Sequence, residues 1–329
     1  MKNLPKPFFV LAPMDDVTDT VFRQVVQTTH APNLFFTEFV NVDGLQSPGR
    51  PKLLKKLRFA ASEGPLIAQL WGLKPENFEK TAREIADGTF ARELGLPDGV
   101  NFVGIDLNMG CPAKSEVQNG ACSALILNRP LADEIIKATQ AGAGAMPVSV
   151  KTRLGFHEID HTWIEFLLDH KLAMLTVHGR TKKEMSKVPA HWDEIGKVVP
   201  TRDRISPETL IVGNGDVQNH AEGQKLAEQY GLDGIMIGRG IFQDPYAFAP
   251  ESPWESIPRE AKIDLYRRQV TLFAQTWQDR ERPIHTLNKF CKIYISDFDG
   301  AKELREKLMA ADSTEELLDL LAKAEPAVK

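Results

Sequence analysis

Residues 106–112 read Asp-Leu-Asn-Met-Gly-Cys-Pro, and the densest chemistry of the chain is here. An apolar run, 102–107, leads through an acid and an amide into Cys111 on a Gly-Cys-Pro turn. A thiol just past a buried parallel strand lies at the mouth of a barrel or open sheet, where functional groups collect on rigid scaffolds. Pro112 fixes the backbone beside it. Two fates are open to such a thiol: a small buried hydrophobe, or a group that gives up a proton. Other residues could share a task with it. Lys151 is a cation able to oppose an anion developing on a ring, and Gln69 and Asn108 carry the paired donor and acceptor groups that suit the edge of a planar heterocycle. Two glycine turns, Gly213-Asn214-Gly215-Asp216 and Gly238-Arg239-Gly240, free backbone amides for a phosphomonoester, with Arg239 as its partner. Phosphate cradle, cation and amide readers around one cavity describe flavin mononucleotide (FMN) better than a sugar phosphate. Taken singly, each has a plainer explanation in loop geometry.

Positions so distant in the chain meet only if a repeated element presents them at one end. Short apolar runs occur at 8–11, 34–39, 66–70, 102–107, 148–151, 173–177, 210–212 and 234–237, most followed by a helical pattern. Strands alternating with helices imply βα units and a parallel sheet. Eight such units within 1–245 fit a closed (β/α)8 TIM barrel. An open doubly wound sheet would place its glycine-rich phosphate loop after the first strand. Here the first run ends in Ala12-Pro13-Met14, and the glycine turns come late. In a barrel, Gln69, Asn108, Cys111, Lys151, Arg153, His178, Arg180 and both glycine turns all fall at C-terminal strand ends, the face that carries active sites.

Residues 246–258 contain three prolines and little periodicity, which reads as a linker. Beyond it, 259–329 reads as a C-terminal helical bundle. Ile263, Tyr266, Val270, Phe273 and Trp277 line one helix face, and Ile284, Leu287, Phe290 and Tyr294 line a second. Ser313 and Glu316 have the spacing of a capping box. The 329-residue chain carries a net charge of −5, which gives no global sign of a nucleic-acid partner. Locally the picture differs: from Arg259 to Lys292 there are eight basic residues against four acidic, and Arg50, Lys52, Lys55, Lys56 and Arg58 form a second basic cluster. Each is a solvated face or a phosphate-contacting surface. Three scattered cysteines suit a reducing cytoplasm and are too few for a disulfide framework or metal cage. The apolar patch near the N-terminus lacks a signal-peptide pattern, and no run is long enough to span a membrane. Nothing demands more than a monomer.

These motifs, in this order, resemble the tRNA-dihydrouridine synthases of bacterial type. They comprise APM at 12–14, AQLWG at 68–72, DLNMGCP with NGACSAL, KTRLG at 151–155, TVHGRT at 176–181, GNGDV at 213–217 and DGIMIGRGIFQDP at 233–245. The likeness runs through the whole barrel and more loosely through the helices after it. It implies an FMN-dependent barrel enzyme that takes hydride from NADPH and passes it to C6 of a tRNA uridine, with Cys111 protonating C5. It also implies that Pro13, Met14, Gln69, Lys151 and His178 surround the isoalloxazine and that Asn214, Gly215, Asp216, Gly238 and Arg239 hold the phosphate. Asn108 would face the substrate base, Arg153 and Arg180 would lie on the substrate side, and Arg267 and Arg268 would meet tRNA. No metal is implied. The chain departs from the family pattern at Gln118, Glu184, Ser186, Val188 and His191. Two other readings stand beside this one. An FMN barrel of the dihydroorotate dehydrogenase type, acting on a free pyrimidine, would not need the C-terminal bundle. A tRNA-binding folding aid without turnover would need neither Cys111 nor Lys151.

Overall fold

A computed structural model describes residues 4–278 and 281–324. Its strands are β1 (Phe8–Leu11), β2 (Phe35–Phe36), β3 (Val40–Asn41), β4 (Leu66–Trp71), β5 (Gly104–Met109), β6 (Val148–Gly155), β7 (Met174–Thr181), β8 (Leu210–Asn214) and β9 (Gly234–Ile237). All pairings are parallel, in the order β1-β9-β8-β7-β6-β5-β4-β2, with β3 also on β4. The sheet closes on itself where Val10 bridges Leu34 and Leu11 N donates to Leu34 O at 3.1 Å. The expected barrel is present.

Strand boundaries differ from those expected in two ways, each with a physical reason. The run 34–39 is one position in the barrel but breaks into β2 and β3. Between them Thr37 turns its hydroxyl to the Glu38 carbonyl and accepts from Gln69 N, while Glu38 is fully buried against Arg282. Thr37 N still donates to Ile67 O at 3.0 Å, but its hydroxyl, not a backbone carbonyl, takes the Gln69 N–H. Strands β6, β7 and β8 run on past the apolar runs that announced them, to Gly155, Thr181 and Asn214. Polar residues continue the strand because the barrel mouth can accommodate them.

Helices cover the outside: α1 (Thr20–His30), α2 (Pro75–Ala86), α3 (Arg129–Ala143), α4 (His161–Asp169), α5 (Val198–Ile205) and α6 (His220–Tyr230). Asp19, Asn128, Asp160 and Asn219 cap α1, α3, α4 and α6 with side-chain oxygens. α2 and α3 approach closely at Gly142, where a Cβ would stand 2.0 Å from Glu79 O. The strands bury two cores, one outside against these helices and one inside the barrel. The inner core is Phe8, Val10, Ala12, Leu34, Phe36, Ile67, Met174, Val212 and Met236.

After β9, residues 246–258 hold turns and bends only. Then come α7 (Arg259–Thr276), α8 (Asn288–Tyr294), α9 (Ala301–Met309) and α10 (Thr314–Ala324). Ile263, Tyr266, Val270, Phe273 and Trp277 are buried as their spacing requires. Ser313 Oγ accepts from Glu316 N at 3.1 Å, but the Glu316 carboxylate reaches back to Asp312 N rather than to Ser313 N. The stretch 87–101, longer than a simple connection, forms a short helix, Thr89–Glu93, whose Phe90 ring lies under Arg50.

Candidate active site at the barrel mouth

Strand alternation and register assemble the site. Side chains two apart on a strand share a face, and β5 pairs Asp106 with Ser149 and Asn108 with Lys151 of β6. β6 pairs Arg153 with His178 of β7, which pairs with Asn214 of β8. A polar tier therefore stands on the apolar inner core. Above it opens a cavity of about 440 Å³ lined in part by Pro13, Met14, Lys151, Arg153, His178, Asn214, Gly215, Asp216, Gly238 and Arg239. Residues from five strand ends thus share one pocket, whereas Gln69, Asn108, Cys111 and Arg180, expected at the same face, are not among the residues that line it.

Beneath the pocket lies a hydrogen-bonded chain. Gln69 Nε2 donates to Asp106 at 2.7 Å, Ser149 Oγ donates to the same carboxylate at 2.6 Å, and Asn108 Nδ2 donates to Gln69 Oε1 at 3.3 Å. Asn108 Oδ1 then accepts from Gly110 N and Cys111 N at 3.2 and 2.9 Å. Gln69 is completely buried, with both ends of its amide engaged in this chain. Asn108 sets the turn that carries Cys111. Asp106, two residues before Asn108 on β5 and so on the same face, carries no signal of this position beyond that spacing. Burial raises its pKa to about 6, against hydrogen bonds from Ser149 and Gln69 and the charge of Lys151.

Lys151 projects into the cavity wall, and burial, with Arg153 beside it, lowers its pKa to about 8. The Cys111 thiol is lowered to about 7, first by a hydrogen bond from Cys122 and further by a backbone bond at Ala113 and the charge of Lys151, against its own burial and Glu116. Cys122 is fully buried with φ of 54°, and its pairing with Cys111 and its burial push its thiol far above the usual range. It remains the donor of the pair. The signal for it, Cys122 in NGACSAL, was visible in sequence without a role. His178 is held well below its usual pKa by burial and by Arg153, Lys151, Arg180 and Arg239, so it is neutral, and its buried Nδ1 has no partner.

The two arginines expected on the substrate side are placed as braces. Arg153 donates from Nε to Gly110 O at 2.8 Å and from Nη1 to Thr181 O and Met185 O at 3.1 and 3.0 Å. It clamps the Cys111 turn to the loop after β7, and burial lowers its pKa to about 10. Arg180 is buried, donates to Val188 O and Asp216, and leaves Nη1 unpartnered. Asp216, at φ of 59°, also accepts from Arg239 at 3.2 Å and from Ala190 N at 3.0 Å. Gly215 precedes it at φ of 136°, where a Cβ would stand 2.7 Å from Ala190 Cβ. In the same loop Glu184 accepts from Thr181 N at 2.8 Å and meets His191 Nε2 at 2.9 Å, so two of the departures from the family pattern face each other.

Arg267 and Arg268 lie apart from this pocket. They line a groove of about 510 Å³ between α1 and α7 with Gln24, Gln27, Thr28 and Ser62. Several cations of the basic stretch are turned inward: Lys262 lies 4.5 Å over Trp254, Arg259 lies 5.2 Å over Phe298, and Arg282 is buried on Glu38. Arg280 is outside the described residues. The second cluster is spent similarly, Arg50 on Glu84 and Glu93, Lys56 on Asp15 and Arg58 on Glu281. Among the described residues one group of three carboxylates, Asp15, Asp16 and Glu38, has metal-ligand spacing, and Lys56 and Arg282 already meet it.

Residues 10–329 match the family described as dihydrouridine synthase. The chain belongs to the dihydrouridine synthase family. A probable tRNA-dihydrouridine synthase of Staphylococcus aureus (strain Mu50 / ATCC 700699) is 45% identical over 322 residues, 97% of this chain and 93% of its own. A probable tRNA-dihydrouridine synthase 2 of Bacillus subtilis (strain 168) is 46% identical over 323 residues, 97% of this chain and 94% of its own. Morphinone reductase, at 13% identity and a TM-score of 0.49 over 74% of this chain and 85% of its own, overlaps too loosely to add to this. As a dihydrouridine synthase the chain is an oxidoreductase, and among the described residues no helix is long and apolar enough to cross a membrane.

Proposed function

We propose that this dihydrouridine synthase reduces the C5–C6 double bond of a tRNA uridine to 5,6-dihydrouridine, with FMN at the barrel mouth and NADPH as electron donor. The observation that carries the reading is a cavity whose walls combine Lys151, a neutral His178 with an unpartnered nitrogen, and two glycine turns, with the Cys111 thiol within electrostatic reach of Lys151. These residues fit a flavin. Gly215, Gly238 and Arg239 suit its phosphate, Pro13, Met14, Lys151 and His178 its ring, and Asn214 and Asp216 the turn between them. Gln69 supports that ring site from below through Asp106 and Asn108. Held there, FMN would supply the hydride-transfer chemistry between NADPH and C6.

The chain's own residues do the rest. Cys111 gives its proton to C5, and its thiolate is then stabilised by the Cys122 S–H and the Lys151 charge before taking a proton from solvent. Lys151 opposes the negative charge that spreads over the uracil ring as hydride arrives. Arg153 and Asn108 hold the Cys111 turn from either side. The uridine leaves its stack to enter, at a cost of a few kcal/mol that is lower in loop RNA. The helical region 259–329 receives the tRNA body, with Arg267 and the exposed Arg268 facing the phosphates. One chain supplies every group named, so a monomer suffices, and three free cysteines suit the cytoplasm.

A visible spectrum tests this. The flavin band should bleach with NADPH under anaerobic conditions and return on adding unmodified tRNA. Return with a free pyrimidine alone would move the reading to the dihydroorotate type. A protein that stays colourless after adding FMN would remove the flavin.

A further inference from the structure

Residues 12–19, between β1 and α1, form one wall of the cavity through Ala12, Pro13 and Met14. The segment closes on itself at its base, where Met14 N donates to Thr18 Oγ1 at 2.9 Å and Thr18 N to Met14 O at 3.0 Å. Its tip does not. Asp16 has φ of 55°, a region disfavoured for a residue with a Cβ, and its contacts come from elsewhere in the chain. Asp16 N donates to Glu38 Oε1 at 2.8 Å, and Asp16 O accepts from Lys289 Nζ. Its carboxylate is 3.7 Å from Arg282 Nη1.

Arg282 is the hub. Its guanidinium is buried, donates to Glu38 Oε2, lies 3.8 Å from Asp19 and rests 4.8 Å over the Trp277 ring. Trp277 Nε1 in turn donates to Asp19 at 3.2 Å, and Asp19 caps α1 through Phe22 N at 2.9 Å. One guanidinium from the C-terminal helices thus faces three carboxylates on and beside a cavity wall. Plain docking would not need this, because apolar contacts hold two surfaces together without burying charge. A buried ionic cluster fixes register instead.

We infer that Arg282 is a positioning residue through which the C-terminal helices set the Met14 wall of the pocket, by way of Glu38 and Asp16. The consequence for flavin rests on the function proposed above; the effect on the wall does not. Arg58 provides the contrast. It bridges the same boundary, to Glu281, to Thr276 O at 2.8 Å and over the Trp277 ring at 5.0 Å, but forms no ion pair with Asp16, Asp19 or Glu38.

The test is amide hydrogen exchange on the full-length chain, with FMN titration alongside. In Arg282→Met the amides of Met14, Asp16 and Thr18 should exchange about tenfold faster while those of Val270 and Phe273 in α7 keep their protection. FMN should bind about tenfold more weakly. Arg58→Met should leave the amides of 14–18 unchanged. Arg282→Met strands the buried Glu38 carboxylate, while Asp19 keeps its bonds from Phe22 N and Trp277 Nε1, so the pair Glu38→Gln with Arg282→Met removes the stranded charge and keeps an acceptor for Asp16 N. Its wall should still exchange fast. Unchanged protection of 14–18 in Arg282→Met, equal loosening in Arg58→Met, or full recovery in the double variant would each overturn the inference. A loosened wall in a chain whose wild type takes up no FMN would uphold the positioning role and sink the flavin reading alone.

Discussion

The barrel interior has two storeys built by the same strands, and they obey opposite rules. The lower one, from Phe8 to Met236, is apolar and sealed, with every member buried. The upper one is polar, with Gln69, Asp106, Asn108 and Asn214 buried and Lys151 and His178 half-buried, and its pKa values are displaced at Asp106, Lys151 and His178. Below, alternation hides surface from water, which is where folding free energy comes from. Above, the same alternation aims groups at one point and tolerates an unpartnered nitrogen on His178. Stability and chemistry are divided by height along each strand rather than between strands.

This division can be broken by variants, and the largest effect should come from the upper storey. Cys111→Ala should lower the rate of uridine reduction by roughly 10²–10⁴-fold, the range of a lost general acid, with FMN affinity and melting temperature near wild type. Wild-type turnover in that variant would remove Cys111 from the reaction. In the lower storey Met174→Ala should cost about 2–5 kcal/mol in denaturant unfolding and leave FMN affinity within about twofold. An equal loss of flavin binding there would erase the boundary between storeys.

Two smaller effects sharpen it. The acid must hold its proton, and Cys111 sits at about 7, so activity should be full below that value. kcat/KM should then fall by about tenfold per pH unit above it, more steeply beyond about 8 as Lys151 loses its charge. A flat profile from pH 6 to 9 would contradict both assignments. Smallest of all, Cys122→Ala removes a donor to the Cys111 sulfur. Alkylation of Cys111 by iodoacetamide at pH 7 should slow by a few fold and the alkaline limb should move upward, whereas Cys122→Ser should keep both in place. Identical behaviour of the Ala and Ser variants would show that packing, not the hydrogen bond, is what Cys122 supplies.

The barrel was legible because βα repetition is a local signal repeated along the chain. The pocket was legible because strand ends are where apolar runs give way to polar motifs, as at Lys151, His178 and Asn214. What escaped notice is non-local. Glu38 inside an expected strand gives no sign that Arg282, 244 residues later, will meet it. The basic stretches looked alike in sequence, yet Lys262 covers Trp254 and Arg50 pairs with Glu84 and Glu93 while Arg268 stays exposed. A charge count records how many cations a segment has. Which way each one turns depends on aromatic and acidic neighbours supplied by other elements.

The turn bearing Cys111 is tied at its base: Ser123 N donates to Cys111 O at 3.3 Å, closing off the residues between, which include the short helix Lys114–Gln118 with Lys114, Ser115 and Gln118 at the surface. Cys111 is thus at the knot of a noose, not on its rope. Changes along the rope, such as the glutamine at 118, alter the exposed surface while Cys111 keeps its station.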